Sequence, residues 1–359
     1  MPRRPRPHVA LAAALLAAQG CAPTLKPGTD RADGGRGDVP AVVEVGVDAR
    51  ADSGGAADVP VVTDAPVARP AQTSCPDPGE RGCGLVTVPG GTFTMGYASA
   101  SMVTDGSPEQ PNIRVGAVVL DAHEVTVARF RRFWAVARTL PALTSVRYPA
   151  GDLPVAQGLR EPQTRVQDPG CNWSTFVDRE LHPINCVDWY TAMAFCVWDG
   201  GRLPTDAEWE YAARGREVGD LRSGRLYPWG EQDPSRTCDR ARWNLMGCAG
   251  EDGAATRRVG SFAPSPDLDG ARIWDLSGNV FEWTADNYAP YQGATQGCWG
   301  AAPEGRTNPL CRYNPRGPRT IRGGSWYFST LEVLRAPSRF GIEVDGDLPL
   351  VGVGIRCAR

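Results

Sequence analysis

The sequence has little of what nucleic-acid binding, zinc binding or membrane spanning requires. Lysine and arginine number 38 against 41 acidic residues, and the formal net charge of −3 gives no reason to expect a nucleic-acid partner. The chain has only 3 histidines and no Cys-x-x-Cys pair, which disfavours a zinc site. Nothing after residue 18 is apolar for long enough to resemble a transmembrane helix. We therefore expect neither a nucleic-acid-binding protein nor a zinc protein.

The first twenty residues are typical of an export signal. Arginines within the first six residues precede an apolar run at residues 9–18, which is too short to span a bilayer. The tetrapeptide AQGC, which ends at Cys21, resembles a bacterial lipobox, in which the cysteine is lipidated after cleavage. We expect a lipoprotein signal peptide at residues 1–20 and a membrane anchor through Cys21. An ordinary cleaved signal, with Cys21 incidental, is the alternative.

Composition separates a tether from a domain. Residues 22–74 contain no aromatic residue and consist mainly of Ala, Asp, Gly, Pro and Val, so they cannot bury enough apolar surface to offset chain entropy. All 11 tryptophans lie after residue 130. We therefore predict a disordered tether at residues 21–74 and one domain at residues 75–359.

Cysteine usage is that of an exported protein. Without Cys21 the chain keeps an even number of cysteines, which permits five disulfides in an oxidising compartment. Short spacings favour three of the pairs, and zinc binding is the competing use. The three pairs are Cys75 with Cys83, Cys238 with Cys248, and Cys298 with Cys311.

Three N-caps predict short helices in a loop-rich α+β domain. Thr126 precedes apolar residues at helical spacing, and Asp188 precedes a helix that Gly200–Gly201 ends. Thr205 and Glu208 have the form of a capping box that opens a third helix. Elsewhere 42 glycines and 32 prolines punctuate short strands and long loops.

Six motifs in a fixed order carry a resemblance to the formylglycine-generating enzyme family, also called the sulfatase-modifying factor domain. It covers nearly everything after residue 85 and implies a loop-rich α+β fold with little regular secondary structure, related to C-type lectin-like domains. The family's buried disulfide would join Cys196 with Cys357, which leaves Cys171 with Cys186. The motifs are VPGGTFTMG (Val88–Gly96), EVTVARF (Glu124–Phe130), the long string from His182 to Gly230, GNVFEW (Gly278–Trp283), RGGSW (Arg322–Trp326) and GIRCA (Gly354–Ala358).

The resemblance also implies two structural calcium sites. Oxygen ligands of mixed side-chain and backbone origin are what Ca²⁺ prefers. The alternative for Asp275 and Glu282 is that they cap turns and face solvent. The first implied set is Asn244, Asp252 and the carbonyls of Leu245 and Ala254; the second is Asp275, Glu282 and the carbonyls of Gly278 and Val280.

The copper site of the family is missing. Family oxidases convert a cysteine in a Cys-x-Pro-x-Arg peptide to formylglycine, using oxygen and Cu(I) held between two thiolates. The two thiolate positions correspond here to Phe328 and about Val333, and no cysteine occurs between Cys311 and Cys357. Since Cu(I) prefers sulfur donors, copper is not expected to bind.

Other chemistries have weak support in the sequence. A related branch of sulfoxide synthases uses an iron site built from histidines, and only His123 and His182 follow the signal. Another branch, which acts in pyoverdine maturation, also lacks a straightforward copper pair. No histidine can be assigned to activate Ser325 as a nucleophile. Residues that could line a ligand groove are Ser325, Trp326, Phe328, Arg335 and Arg339.

The sequence thus predicts a calcium-stabilised domain held on the bacterial cell envelope, periplasmic or surface-facing. Its expected work is to bind, or assist the maturation of, an exported protein, peptide or glycan. The alternative is an active oxidase, for formylglycine or a non-heme-iron reaction, that uses an unrecognised metal site. Whether the protein is an enzyme stays open at this point.

Overall fold

The structure is a computed structural model, and it has three short α-helices and short strands joined by long loops in the part of the chain that it describes. The predicted signal peptide, Cys21 and the tether up to residue 70 lie outside that part. No helix among the described residues is long and apolar enough to cross a membrane. The described residues are 71–97, 108–155, 158–215, 225–234, 238–244, 248–252, 254–265, 272–291, 298, 306–328, 330–344 and 350–359.

The elements are short, as the frequent glycines and prolines predict. The helices are α1 (Val127–Val136), α2 (Trp189–Trp198) and α3 (Asp206–Arg214), with 3₁₀ turns at Ala137–Thr139 and Leu331–Leu334. The strands are β1 (Leu85–Val88), β2 (Gly91–Met95), β3 (Gln110–Val115), β4 (Val118–Asp121), β5 (Ser145–Val146), β6 (Leu153–Pro154), β7 (Phe281–Asn287), β8 (Arg306–Thr307), β9 (Arg319–Arg322), β10 (Arg339–Ile342) and β11 (Val353–Gly354).

A four-stranded sheet with the order β10-β9-β7-β11 forms the centre of the domain. Strand β7 is buried along its whole length and pairs antiparallel with β9 and parallel with β11. The register places Glu282 opposite Arg322 and Phe281 opposite Val353. The GNVFEW and RGGSW motifs are therefore brought together by neighbouring strands. The remaining strands form a three-stranded sheet (β2-β3-β8) and the pairs β1-β4 and β5-β6.

The predicted caps begin the three helices. The side chain of Thr126 accepts a hydrogen bond from the Arg129 amide, and that of Asp188 accepts one from the Thr191 amide. Thr205 begins α3 with both reciprocal bonds of a capping box. The predicted N-termini are confirmed, because each cap satisfies amides that the first helical turn leaves without a partner.

All ten cysteines from Cys75 onward form disulfides, so none of these ten is a free thiol. The sequence predictions for the pairs are confirmed. The Cys196–Cys357 bridge ties α2 to the C-terminal segment across a sequence separation of 161 residues, with both residues fully buried. The other pairs are Cys75–Cys83, Cys171–Cys186, Cys238–Cys248 and Cys298–Cys311.

Ordered structure extends N-terminally of Cys75, where the sequence placed the end of the tether. Ser74 is fully buried, and its amide donates to the Asp199 carboxylate at 2.6 Å. The Arg129 guanidinium donates to the Ser74 hydroxyl at 2.8 Å and also pairs with Asp199 at 2.7 Å. Residues just before the first cysteine thus belong to the domain, because they satisfy buried polar groups at its edge.

Candidate functional site

A double-glycine turn after β9 begins the segment in which the sequence placed a groove. Gly323 and Gly324 have φ angles of +94° and +75°, a region that side-chain-bearing residues rarely adopt. A Cβ atom on Gly324 would lie 2.7 Å from the carbonyl oxygen of Val333. Only glycine therefore lets the 3₁₀ turn at Leu331–Leu334 approach the chain here, which brings Phe328 and Val333 into one part of the fold.

The two positions that the resemblance assigns to the family's copper ligands are packed with apolar side chains. The Phe328 ring lies 5.5 Å from Phe281 and 6.2 Å from Phe340, measured between ring centroids. Val333 is only 2% exposed and belongs to the same hydrophobic cluster. With all ten cysteines of the domain in disulfides, this region holds no thiolate for Cu(I).

Two of the predicted groove residues are not available to a ligand. Ser325 is fully buried, and its hydroxyl accepts a hydrogen bond from the Tyr327 amide at 3.3 Å. Arg339 is also fully buried, with its guanidinium 3.0 Å from Asp206 and 4.4 Å from the centre of the Tyr291 ring. The prediction that these two residues line a groove is therefore corrected: Ser325 shapes a turn, and Arg339 neutralises a buried carboxylate.

Of the other three groove candidates, Trp326 and Phe328 lie nearer the surface, whereas Arg335 is buried. Trp326 and Phe328 are half-buried, and the Trp326 indole N–H donates to the Val351 carbonyl at 3.2 Å. Arg335 is 8% exposed and forms an ion pair with Glu332 at 3.7 Å. Burial raises the pKa of Tyr227. The hydrogen bond from Arg335 to the Tyr227 hydroxyl is the largest effect in the opposite direction.

Trp326 and Tyr327 form an aromatic edge that rests on a disulfide-bonded loop. Their rings meet nearly at right angles with centroids 5.6 Å apart. A Cβ atom on Gly170 would lie 3.0 Å from the Trp326 ring, and the Cys171–Cys186 disulfide belongs to the same small cluster. We call Trp326 and Tyr327 the aromatic edge. Because the loop beneath it is crosslinked, a ligand would meet a preformed surface.

Asp275 and Glu282, the carboxylates of the second calcium set, are buried, so the alternative that they face solvent is wrong. Glu282 accepts hydrogen bonds from Arg356 at 2.7 Å and from the Trp209 indole at 2.6 Å. Asp275 accepts from the Gly260 amide at 2.6 Å through one oxygen, whereas its other oxygen, Oδ1, is buried without a hydrogen-bond partner. Burial raises the pKa of Asp275 to about 6.

Glu124 is a third buried acid that the sequence did not single out. It accepts from the Val280 amide at 3.1 Å and from the Asn279 side chain at 2.6 Å. Burial, and then the charges of Asp275 and Glu282, raise the pKa of Glu124 well above its ordinary value. The available signal for Glu124 was its charge within EVTVARF, where Arg129 is the other charged residue, and the signal for Arg356 was its charge within the otherwise apolar GIRCA.

Glu124, Asp275 and Glu282, which we call the acidic turn, have a charge balance that fits a divalent cation. Three carboxylates meet one guanidinium, that of Arg356, and one carboxylate oxygen of Asp275 has no protein donor. Oxygens of the three acids do not all lie within 4.8 Å of one another in the described part of the chain. The resemblance implies that such a cation would be held by Asp275 and Glu282 with the carbonyls of Gly278 and Val280, and the observation that fits is the buried Asp275 Oδ1 atom without a donor.

The first calcium set fits less well. The Asp252 carboxylate forms an ion pair with Arg258 at 2.8 Å and contacts His182 at 3.4 Å. Asn244 is exposed and donates through its amide nitrogen to the Tyr327 carbonyl at 3.1 Å. Ala254 is buried, and Leu245 lies outside the described residues. Neither side chain of this set has a buried oxygen without a hydrogen-bond donor, as Asp275 does, so these residues give no comparable support for a bound ion.

The histidines do not form an iron site in the described structure. The His123 ring stacks on Trp274 with centroids 4.7 Å apart, and the His182 ring bonds the Thr256 hydroxyl at 2.9 Å. Within the described ranges, one cluster brings three side chains of metal-ligating types together. It consists of Asp121, Asp199 and Cys357, whose ligand atoms lie within 4.8 Å of one another. Its carboxylates pair with Arg129 and Arg359, and its sulfur is in a disulfide, so the group already has its partners.

Comparisons with known proteins agree with these features. Residues 71–359 match the Sulfatase-modifying factor enzyme 1-like domain family. The chain is 33% identical over 281 residues to a formylglycine-generating enzyme of Thermomonospora curvata, covering 69% of this chain and 84% of that protein. It is 32% identical over 297 residues to the inactive C-alpha-formylglycine-generating enzyme 2 of Bos taurus, covering 76% of this chain and 87% of that protein.

The fold is also that of a solved relative. The structure of PvdO from Pseudomonas aeruginosa superimposes with a TM-score of 0.51 at 20% identity, covering 77% of this chain and 93% of that one. This likeness supports the fold alone. Enzymes and proteins named as inactive are similar to this chain to the same degree, so similarity does not decide activity. The family match over residues 71–359 shows that the chain belongs to the sulfatase-modifying factor family, whose relatives include the formylglycine-generating enzymes.

Proposed function

We propose that this domain binds a peptide segment of an exported protein, or assists its maturation, without the copper oxidase reaction of its family. The observation that carries the proposal is the state of the cysteines: all ten in the domain form disulfides. Phe328 and Val333 fill the copper-ligand positions with apolar groups. Without a thiolate pair at these two positions, Cu(I) would lack the ligands that the family's reaction uses.

The aromatic edge is the proposed contact surface. Trp326 and Tyr327 are half-buried, fixed by the turn after β9 and by the crosslinked loop below. Aromatic side chains of this kind give large contact areas at low entropic cost and are enriched at binding interfaces. The same edge could also stack a sugar ring, so a glycan on the partner is a second possible contact.

Calcium is the proposed structural ion. Held by Asp275, Glu282 and the carbonyls of Gly278 and Val280, it would neutralise the excess charge of the acidic turn. It would fix the GNVFEW turn against β9 and would perform no chemistry. The buried Asp275 Oδ1 atom without a donor supports this proposal.

The cell envelope is the proposed location. Five disulfides suit an oxidising compartment, and the AQGC tetrapeptide ending at Cys21 supports lipidation. Mass spectrometry of the N-terminal fragment from membranes should detect acylation that Cys21→Ser abolishes. A soluble, unacylated wild-type chain would contradict the anchor.

The oxidase question has a direct test. The chain from residue 22 onward is incubated with Cu(I), oxygen and a Cys-x-Pro-x-Arg peptide beside an active family oxidase, and peptide mass is followed. We expect no conversion, and a thiol titration of the unreduced, denatured chain should detect no free cysteine. Formylglycine formation would support the alternative, an oxidase that uses another metal site.

Binding is measured separately with the same peptide, labelled with a fluorophore. We expect saturable anisotropy changes that Trp326→Ala weakens at least fivefold and that the exposed control Phe176→Ala leaves unchanged. Phe176 is 68% exposed, so both variants remove an aromatic ring. Equal affinities for the two variants would contradict the aromatic edge as the contact surface.

A further inference from the structure

An apolar cavity on a different part of the domain has no role in the proposed function. It has a volume of about 530 Å³ and lies between α2, the 3₁₀ turn after α1 and the segments that flank the β5-β6 hairpin. It shares no residue with the aromatic edge or the acidic turn. Most of its lining is aliphatic or aromatic, including Leu140, Leu143, Val155, Leu159, Val197 and Trp198. Cavities of this size and composition are typical of small-molecule sites.

Helix α2 explains why the cavity is open to a ligand. Its sequence, WYTAMAFCVW, contains no charged residue, and a helix that is apolar on all sides is normally covered on all sides. One side packs into the core through Phe195 and Cys196, which are fully buried. On the cavity side Val197 is 36% exposed, and Leu159 across the opening is 38% exposed. These are large apolar groups left in contact with water.

The polar groups of the cavity define what the ligand carries. The Tyr190 hydroxyl is already used, since it donates to the Pro315 carbonyl at 3.2 Å. Arg138 is the charged residue of the lining, and it is exposed and forms no hydrogen bond or ion pair with any described residue. The body of a ligand would therefore find no hydrogen-bonding side chain, whereas one end would meet a cation.

We propose that this cavity binds a medium-chain carboxylate, with its aliphatic chain among the side chains of α2 and of the segments that flank the β5-β6 hairpin, and its carboxylate beside Arg138. The apolar lining stabilises the chain by removing methylene groups from water. The guanidinium favours a carboxylate over a neutral or cationic head group. Both features are present before binding, so no rearrangement of the core is required.

Gly158 provides a variant that fills the cavity without disturbing the fold. It lines the cavity, and a Cβ atom built on it has nothing within 4 Å. Its backbone does not lie in the left-handed region, so a side chain there is not strained. Gly158→Leu should place its side chain in the space that the ligand's chain would occupy. Val166→Leu, at a site that is 91% exposed and outside the cavity, is the matched control.

The test is calorimetric titration of the chain from residue 22 onward, with ligands kept below their micelle concentrations. We expect dodecanoate to bind at one saturable site and octanoate at least tenfold more weakly, because each buried methylene changes affinity by up to about fourfold. Dodecyltrimethylammonium should bind at least threefold more weakly than dodecanoate. Arg138→Gln should abolish that head-group difference but keep the dependence on chain length.

Gly158→Leu should lower the affinity for dodecanoate at least tenfold, and Val166→Leu should leave it unchanged. A bromine-labelled dodecanoate should quench tryptophan fluorescence in the wild type, and Trp198→Phe should reduce this quenching. Non-saturable partitioning of all three amphiphiles would overturn the proposal. So would a Gly158→Leu variant that binds dodecanoate as tightly as the wild type.

Discussion

The ring of Phe328 meets the ring of Phe281 edge-on, with centroids 5.5 Å apart and an interplanar angle of 79°. Phe281 lies on the central strand β7, and Phe328 is one of the two positions that the family resemblance assigns to a copper thiolate. Phe328 is therefore part of the packing around the central sheet. A cysteine there would remove a ring from this cluster as well as add a sulfur.

Phe328→Ala should lower the free energy of unfolding by about 2 kcal/mol, less than the 3–5 kcal/mol typical of a fully buried ring, because Phe328 is half-buried. Urea denaturation followed by tryptophan fluorescence measures the change. Phe176→Ala removes the same ring from a side chain that is 68% exposed, and should stay within about 0.5 kcal/mol of the wild type. Equal losses for the two variants would show that Phe328 does not pack as described.

Removal of calcium should lower the melting temperature by a few degrees, because an ion bound only by the folded state stabilises it by mass action. Asp275→Asn should abolish the difference between melting in calcium and melting in chelator. Asp252→Asn should preserve it, because Asp252 pairs with Arg258 instead. If only Asp252→Asn removed the calcium dependence, the first set of ligands would be the real site.

His123 should make the fold sensitive to acid. Burial, followed by the nearby Arg356 charge, lowers the pKa of His123 to about 4 in the folded state. As the pH falls, the unfolded chain takes up this proton first, near the ordinary pKa of 6.5. The free energy of unfolding should therefore decrease between about pH 6.5 and pH 4, by up to about 3 kcal/mol, and change little from this source below that range.

His123→Phe tests this assignment, because a phenyl ring can keep the stack on Trp274 but cannot titrate. The difference between variant and wild type is measured by urea denaturation at several pH values, with chelator present. The raised pKa of Asp275 makes its contribution to the free energy of unfolding change with pH in the opposite direction. Because Asp275 is present in both proteins, this contribution cancels in the difference. A difference that does not vary with pH would contradict the lowered pKa of His123.

The long-range disulfide should contribute more stability than a local one. Replacing Cys196 and Cys357 together by alanine opens a loop with a separation of 161 residues, and chain entropy alone predicts a loss of about 5 kcal/mol. Replacing Cys75 and Cys83, which are 8 residues apart, predicts about 2–3 kcal/mol. Chemical denaturation of the two double variants gives the comparison. A larger loss for the short pair would contradict loop length as the main cause.

The local features were predictable because their causes are local. Thr126, Asp188 and Thr205 begin helices through hydrogen bonds to amides within three residues of themselves. The disulfide pairs followed from short spacings and from one family bridge. The acidic turn was only half predicted, because Glu124 reaches Asn279 across 155 residues of sequence. A sequence pattern cannot show which distant motif supplies the hydrogen-bond donors of a buried carboxylate.

The sequence by itself determined the family, the helix starts, the cysteine pairs and the absence of a thiolate at Phe328 and Val333, since these depend on residue type and order. The tertiary structure decided which side chains a ligand can reach. Ser325 and Arg339 stand in a motif that suggested a groove, yet packing around β9 and β10 buries both completely. The cavity beside α2 could not be predicted from the sequence either. An apolar helix has the same sequence pattern whether its neighbours cover all of its sides or leave one side open. Exposure depends on how distant segments pack, and only the folded chain fixes that.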